Sequence, residues 1–297
     1  MIVAYAHGAA AGIGLWLLIA LYAATTLIPR FVPAFGTLLD IALSVAAAFA
    51  FVCIHGPIRY GFRAIIVFFG ISLLVSNVME NLSILTGFPF GHYYYTANLG
   101  PKLFLVPLLI GPAYLGTGYV AWTLANVILD EADRRQDAAS IVGLPVVAAF
   151  IMTSWDLCFD PALSTVAHDW IWRNGGGYFG VPLVNYLGWF LTVYLFYQFF
   201  ALYLVGRSGT VRTGQPRTYW YQAVLFFLVI AAGYPAAYLG GGNHQVTDAT
   251  GAIWRTGDIY ETAAIVSIYT LLFVTVLSFL KIARRGSAVE APRRSSR

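Results

Sequence analysis

The sequence contains few charged residues. Only 10% of its 297 residues are Asp, Glu, Lys or Arg, whereas soluble domains contain roughly 25%. Hydrophobic residues make up 59% of the chain, and the mean hydropathy is +0.73. These values exclude an ordinary soluble protein and predict an integral membrane protein. We expect one transmembrane helical domain over residues 1–281 and a disordered, basic cytoplasmic tail over residues 282–297.

Cysteine and histidine are also scarce. Cys53 and Cys158 cannot form a disulfide framework, and the five histidines are too dispersed for a zinc or di-iron motif. The sequence has no Gly-rich phosphate loop, no Asp-rich pair for a magnesium-bound diphosphate, and no lysine in the middle of the last apolar run. We therefore expect no metal and no cofactor. Basic residues concentrate in the tail, so no nucleic-acid partner is expected.

Apolar runs long enough to cross a bilayer, about 20 residues each, dominate the chain. They lie at 9–28, 36–56, 63–85, 102–129, 139–158, 182–205, 218–239 and 260–281. We predict an all-α, polytopic transmembrane helical bundle of about eight spans, between seven and nine. Of the 17 Lys and Arg residues, 13 fall in one set of alternate connections. The positive-inside rule then places both the N- and the C-terminus in the cytoplasm. The loops near 86–101, 159–181 and 240–258 would share the opposite face.

Three of the acids in or beside apolar runs are candidates for a functional site. In "SWDLCFDP", Asp156 and Asp160 are four residues apart, so they share a helix face. In "SNVMENLS", Glu80 lies next to Asn81 and three residues after Asn77. An ionised carboxylate in hydrocarbon costs about 2.5–3.5 kcal/mol even on a lenient scale, so such acids usually have a task or a partner. We expect at least one of them to remain protonated at neutral pH.

The loops that follow these acids, "TGFPFGHYYYTANLGPK" and "HDWIWRNGGGYFG", combine glycines with many aromatics. Some of these rings belong to the interfacial aromatic belt. As a set, they are predicted to pack over a site. One alternative is that the acids are wetted at the interface, where they cap loops or pair with Arg173. A site of carboxyls, amides and aromatics suits proton-driven chemistry on a hydrocarbon. A carboxylic acid protonates an alkene, aromatic faces stabilise the cation, and a second carboxylate or an asparagine holds the capturing water.

Three blocks carry a resemblance to a known family: "MENLSILTGFPFGHYYYTANLGPKLFLVPL", "SWDLCFDP" and "WIWRNGGGYFGVPLVNYLGW". They resemble the carotenoid biosynthesis membrane proteins that include the carotenoid 1,2-hydratases of the γ-carotene and bisanhydrobacterioruberin type. The resemblance covers residues 63–205. It implies a hydro-lyase in the cytoplasmic (inner) membrane of a prokaryote. Such an enzyme would add water, without a cofactor, to the terminal C1=C2 double bond of an acyclic carotenoid end.

The resemblance also implies roles for individual residues. Asp156 or Asp160 would donate the proton, and Glu80 with Asn77 or Asn81 would position water. The remaining candidates would contact the substrate; they are His92, Tyr93, Tyr95, Trp155, Trp172, Tyr178, Phe179, Asn185 and Trp189.

The expected partners are a carotenoid or related polyisoprenoid, membrane lipid, and other enzymes of the carotenoid pathway. Two other classes of function remain open. One is a non-catalytic protein that binds or assembles carotenoids or other polyisoprenoids. The other is a proton-coupled transporter in which the acids form a proton relay.

Overall fold

A computed structural model describes residues 2–32, 37–130 and 138–287. The chain is mostly helical, at 74%. The helices are α1 (Ile2–Leu27), α2 (Thr37–Thr86), α3 (Ile110–Ile128), α4 (Ala138–Pro161), α5 (Leu183–Val205), α6 (Arg217–Gly240), α7 (Thr256–Ser267) and α8 (Phe273–Ser287). Six short strands lie between them: β1 (Tyr93–Tyr95), β2 (Lys102–Leu103), β3 (Val106–Pro107), β4 (Trp170–Trp172), β5 (Gln245–Thr247) and β6 (Ile253–Arg255).

Six of the described helical segments are long and apolar enough to cross a membrane. They cover residues 12–30, 38–86, 140–166, 183–205, 217–240 and 256–284. The last segment joins α7 to α8 through a turn of π-helix, Ile268–Leu272. The predicted helical, multi-pass chain is confirmed at this level. The count of eight spans and the placement of the termini stay predictions.

Helix α2 folds back on itself. The rings of Phe49 and Phe69 lie 5.7 Å apart, although twenty residues of straight helix would separate them by about 30 Å. The chain reverses at Gly61, whose φ of 76° and ψ of 158° are not helical. A side chain at that φ would be strained, which explains the glycine. The predicted runs 36–56 and 63–85 thus form the two halves of one helical hairpin.

Helix α3 forms the centre of the bundle. Every residue from Tyr114 to Val127 is buried, and the helix packs against α2, α4, α6 and α8. The predicted run began earlier, at residue 102, and that boundary is wrong. Residues 102–107 form the β2–β3 hairpin instead, because the chain turns at Phe104, whose φ is 57°.

The three loops predicted to share one face do meet at one end of the bundle. Strand β1 pairs antiparallel with β4, and the β5–β6 hairpin contacts the same region through Trp254 and Phe179, whose rings are 5.5 Å apart. We call residues 87–109, 167–182 and 241–255 the cap. At the other end, the Arg212 N–H donates to the Arg59 carbonyl at 2.8 Å, and Lys281 pairs with Asp130.

The sequence predicts a disordered tail from residue 282. Helix α8 continues through residues 282–287 because the helical hydrogen-bond pattern extends to Ser287. Residues 288–297, the rest of the predicted tail, lie outside the described residues.

Candidate active site

A cavity of about 150 Å³ lies between the helix ends and the cap. Its wall includes Glu80, Asp156 and Asp160, the three acids singled out by the sequence. Glu80 comes from the second half of α2, and the two aspartates come from the last turns of α4. All three side chains are buried, with exposed fractions of 3%, 0% and 1% respectively. The wall therefore brings together acids that are up to 80 positions apart in the sequence.

Glu80 is held by three tyrosines. The hydroxyls of Tyr93 and Tyr95 donate to its Oε2, the second at 2.9 Å, and the Tyr114 hydroxyl donates to Oε1 at 3.0 Å. Tyr93 and Tyr95 reach it together because alternate residues of strand β1 face the same side. Burial, together with the charge of Glu80, raises the pKa of Tyr93 and Tyr95 well above the usual value. Both phenols thus keep their protons and act as donors to a carboxylate.

Asp160 accepts three hydrogen bonds. The indole N–H groups of Trp170 and Trp172 donate to Oδ1 at 2.9 Å and 3.3 Å, and Asn185 Nδ2 donates to Oδ2 at 2.6 Å. An indole nitrogen and an amide nitrogen can only donate. Both oxygens of Asp160 must therefore act as acceptors, which matches the ionised form.

Asp156 is bonded differently, although it lies one helical turn away. Its Oδ2 accepts the same Asn185 amide group at 3.1 Å, but its Oδ1 is buried with no hydrogen-bond partner among the residues that the structure describes. A protonated carboxyl carries one donor hydrogen of its own. Two adjacent buried carboxylates also disfavour a second negative charge. The arrangement favours a neutral Asp156 beside a charged Asp160.

Aromatic rings form one side of the cavity. Trp155 and Phe159 stack with centroids 4.2 Å apart, and both rings are nearly perpendicular to Trp189, whose centroid lies 6.0 Å and 6.1 Å from theirs. Tyr114 stacks on Trp189 at 4.7 Å. Ring faces of this kind attract a positive charge in the cavity.

The partly exposed part of the wall is apolar. The acids, the tyrosines and Asn185 are buried, whereas the wall residues that keep partial exposure are Ile41, Val45, Leu109, Ile110, Ala113, Trp155, Phe159 and Leu163. An apolar ligand can therefore approach over hydrocarbon and meet the carboxyl groups at the inner end. Within the described residues, no group of three His, Cys, Asp or Glu side chains could hold a metal ion.

The structure places six of the predicted contact residues on the cavity wall: Tyr93, Tyr95, Trp155, Trp172, Asn185 and Trp189. Asn77 and Asn81 are not on it. Asn81 Nδ2 donates to the Asn77 carbonyl at 2.7 Å, and Asn81 Oδ1 accepts the Leu105 N–H at 3.1 Å. The Asn81 amide thus fastens the turn of the β2–β3 hairpin to α2, and the structure places neither asparagine at the cavity where water would be held.

Three further candidates also lie away from the cavity wall. His92 is exposed on the cap. The Tyr178 hydroxyl donates to the Leu157 carbonyl at 3.1 Å, and Phe179 packs on Trp254. Tyr178 and Phe179 therefore brace α4 and the cap around the site rather than line it.

Sequence reasoning missed several wall residues. Trp170 could have been found, because it alternates with Trp172 in "WIW" and a strand would turn both rings to one side. Phe159 lies four residues after Trp155, which places it on the same helix face. Tyr114 gives no local signal, since it lies 34 positions beyond Glu80 and in another helix.

Comparison with known proteins gives two matches. The sequence model of one protein family, described as "Carotenoid biosynthesis protein", matches residues 35–242, which include all three acids. Over 124 residues the chain is 31% identical to a bisanhydrobacterioruberin hydratase of Haloarcula japonica. That alignment covers 40% of this chain and 39% of the relative, so the chain matches about two fifths of the relative's length. No solved structure matches the chain.

Proposed function

The chain belongs to the carotenoid biosynthesis protein family, and on that premise we propose that it is a carotenoid hydratase. It would be a hydro-lyase that adds water to the terminal C1=C2 double bond of an acyclic carotenoid end. One observation carries the proposal: in an aromatic-walled cavity, Asp156 has a buried oxygen with no hydrogen-bond partner among the described residues, beside an Asp160 carboxylate that accepts hydrogen bonds on both oxygens. The relative that shares 31% identity is itself named a hydratase.

The first step is protonation of the alkene. Asp156 donates the proton of its carboxyl group to C2, and the π electrons form the new C–H bond. The positive charge then lies on C1, a tertiary carbon. Trp155, Phe159 and Trp189 stabilise that charge through their ring faces, and the Asp160 carboxylate balances it.

The second step is capture of the cation by water. The water oxygen bonds to C1, and the proton that it then loses returns to the aspartate pair. The net reaction is alkene plus water to tertiary alcohol, with Asp156 protonated again. Glu80 is suited to hold this water, because among the described residues its Oε1 accepts one hydrogen bond, from Tyr114, and a carboxylate oxygen can accept two.

The size of the cavity fits a chain end rather than a whole carotenoid. A cavity of about 150 Å³ in another protein is large enough for benzene, and this one has the same volume, about 150 Å³. The remainder of a long polyene would extend past the partly exposed apolar wall, over Ile41, Val45 and Leu163, into the lipid.

We further propose eight membrane spans in the cytoplasmic membrane of a prokaryote. The two halves of α2 count separately because the chain reverses at Gly61, and α7 with α8 forms the last span. The cap would then face away from the cytoplasm, as the distribution of Lys and Arg favours.

Expression in a host that accumulates an acyclic carotenoid tests the proposed function. We expect a product with a tertiary hydroxyl group at the chain end, detected by chromatography and mass spectrometry. The same host carrying Asp156→Asn is the matched control and should form little product. Pigment that copurifies unchanged with the wild-type protein would instead favour a carotenoid-binding or assembly protein. Flux that depends on a pH gradient would favour a transporter.

A further inference from the structure

A second, much smaller cavity lies on the outer side of the site. Its volume is about 10 Å³. It is lined by Ser164, Thr165, His168, Ile171, Trp172, Gly180, Asp248 and Ala249. His168 and Ala249 are exposed on the cap, whereas Ser164, Thr165 and Trp172 are buried. Trp172 also lines the main cavity, so its side chain borders both cavities.

The small cavity has the size and the polarity to hold one water molecule. A single water needs about 10–15 Å³ and two to four polar partners. The hydroxyl of Ser164 donates to the Asp160 carbonyl and that of Thr165 to the Phe179 carbonyl, at 2.8 Å and 2.5 Å. Both hydroxyl oxygens therefore keep lone pairs that can accept hydrogens from a water.

Asp248 supplies a third acceptor. Its Oδ2 accepts the Trp254 indole N–H at 2.9 Å, and its Oδ1 accepts Thr250 and Ala252. Burial alone would raise the pKa of Asp248, but these hydrogen bonds lower it below the usual value. The group is thus a carboxylate at neutral pH.

A glycine keeps the small cavity open. Gly180 has a φ of +87°, and a Cβ built on it would lie 3.1 Å from both Thr165 Oγ1 and Asp248 Oδ2. Any other residue would be strained there and would fill the space between these two acceptors.

The Trp172 indole makes the longest of the hydrogen bonds to Asp160, 3.3 Å, while Trp170 donates to the same oxygen at 2.9 Å. Displacement of Trp172 would join the two cavities and leave Asp160 bonded to Trp170 and Asn185. A polyene end that occupies the main cavity covers its apolar side, so reacting water needs another entrance.

Resting on the hydratase function above, we propose that the small cavity is a water-binding site and that Trp172 admits its water to the cation. The polyene and the water thus enter from different sides. Asp248 and Ala249, which close this site, lie beyond residues 35–242, the stretch matched by the family model.

Blocking the entrance is the first test. Ala249→Leu places a larger apolar side chain on the small cavity, and Thr247→Leu is the matched control on the same hairpin, away from both cavities. We expect alcohol formation to fall by about tenfold or more in Ala249→Leu, because the leucine side chain excludes water from the small cavity and raises the barrier to its capture by about 1.4 kcal/mol or more. Thr247→Leu should match the wild type. Equal rates in the two variants would overturn the proposal.

Widening the cavity is the second test, and it does not depend on loss of activity. Thr165→Ser removes a methyl group but keeps the hydroxyl, whereas Leu163→Ala enlarges the apolar wall of the main cavity instead. In buffer that contains methanol, Thr165→Ser should form a methyl ether at C1, the methanol oxygen bonding to carbon and losing its proton. Ether from Leu163→Ala in equal or greater amount, or none from Thr165→Ser, would refute the route. A wild-type protein that forms no alcohol would instead refute the hydratase function.

Discussion

Replacing Asp156 by asparagine tests the proton-transfer step. The amide has nearly the shape of the carboxyl group but no acidic proton. The hydrogen bond that Asn185 donates to the Asp156 carboxyl group at 3.1 Å can be kept by the amide oxygen. We therefore expect the free energy of unfolding to change by less than about 1 kcal/mol. The hydration rate should fall by about 10²–10⁴-fold, the usual contribution of a general acid.

Asp160→Asn is the matched comparison. In the wild type, the two oxygens of Asp160 accept three hydrogen bonds between them. The amide nitrogen of the variant therefore faces a donor in either orientation of the side-chain amide. That donor is Asn185 in one orientation, and Trp170 with Trp172 in the other. A buried donor left without an acceptor costs about 1–3 kcal/mol. This variant should lose stability as well as activity.

The assay measures two quantities for each variant in the same detergent: the initial rate of alcohol formation per folded protein, and the melting temperature. Asp156→Asn should melt within a degree or so of the wild type, and Asp160→Asn should melt several degrees lower. The reasoning fails if Asp156→Asn retains more than about a tenth of the wild-type rate. It also fails if Asp156→Asn is the less stable of the two.

Three further predictions concern the surroundings of the acids. Glu80→Gln should lower the hydration rate by about tenfold or more while the protein still retains pigment, since it weakens the hold on water; parallel loss of pigment would contradict that role. Trp189→Leu should slow hydration by roughly 2–30-fold through loss of a cation–π contact of about 0.5–2 kcal/mol, and Trp189→Phe should slow it less; the opposite ranking would count against the cation. The pKa of Asp248 is lowered in the folded protein, so its hydrogen bonds stabilise the β5–β6 hairpin fully at a pH above the unfolded pKa, about 3.9. This stabilisation is lost as the pH falls through the folded pKa. Proteolysis of that hairpin should therefore rise at acid pH in the wild type, and Asp248→Asn should show no such step.

The helical bundle could be predicted because its signal is local. Apolar runs of membrane length and the distribution of Lys and Arg are visible in the sequence, and the three cap loops meet as expected. A reversal between the runs 36–56 and 63–85 was expected, but its form could not be predicted, since helix continues on both sides of Gly61 and the positive φ of that residue makes the turn. The β2–β3 hairpin was missed because residues 102–107 are as apolar as the helix that follows.

The three acids could be predicted because ionisable groups are rare and expensive in hydrocarbon. Their partners were harder to identify. Tyr114 comes from a separate helix, and only packing brings it to Glu80. Asn81 illustrates the opposite error: it is adjacent to Glu80 in the sequence, yet one position turns a helix by about 100°, so it faces the β2–β3 hairpin instead.

Strands β1 and β4 make the site sensitive to chain length as well as to sequence. Tyr93 and Tyr95 of β1 and both tryptophans of β4 donate hydrogen bonds to the acids. The middle residues of the two strands, Tyr94 and Ile171, pair with each other and face away from the acids. Inserting one residue in either strand would invert that strand and present the wrong side chain to its acid. Inserting two would restore the parity. Surface loops ordinarily tolerate insertions. In these two strands, only an insertion of an even number of residues keeps the binding side chains turned toward the acids.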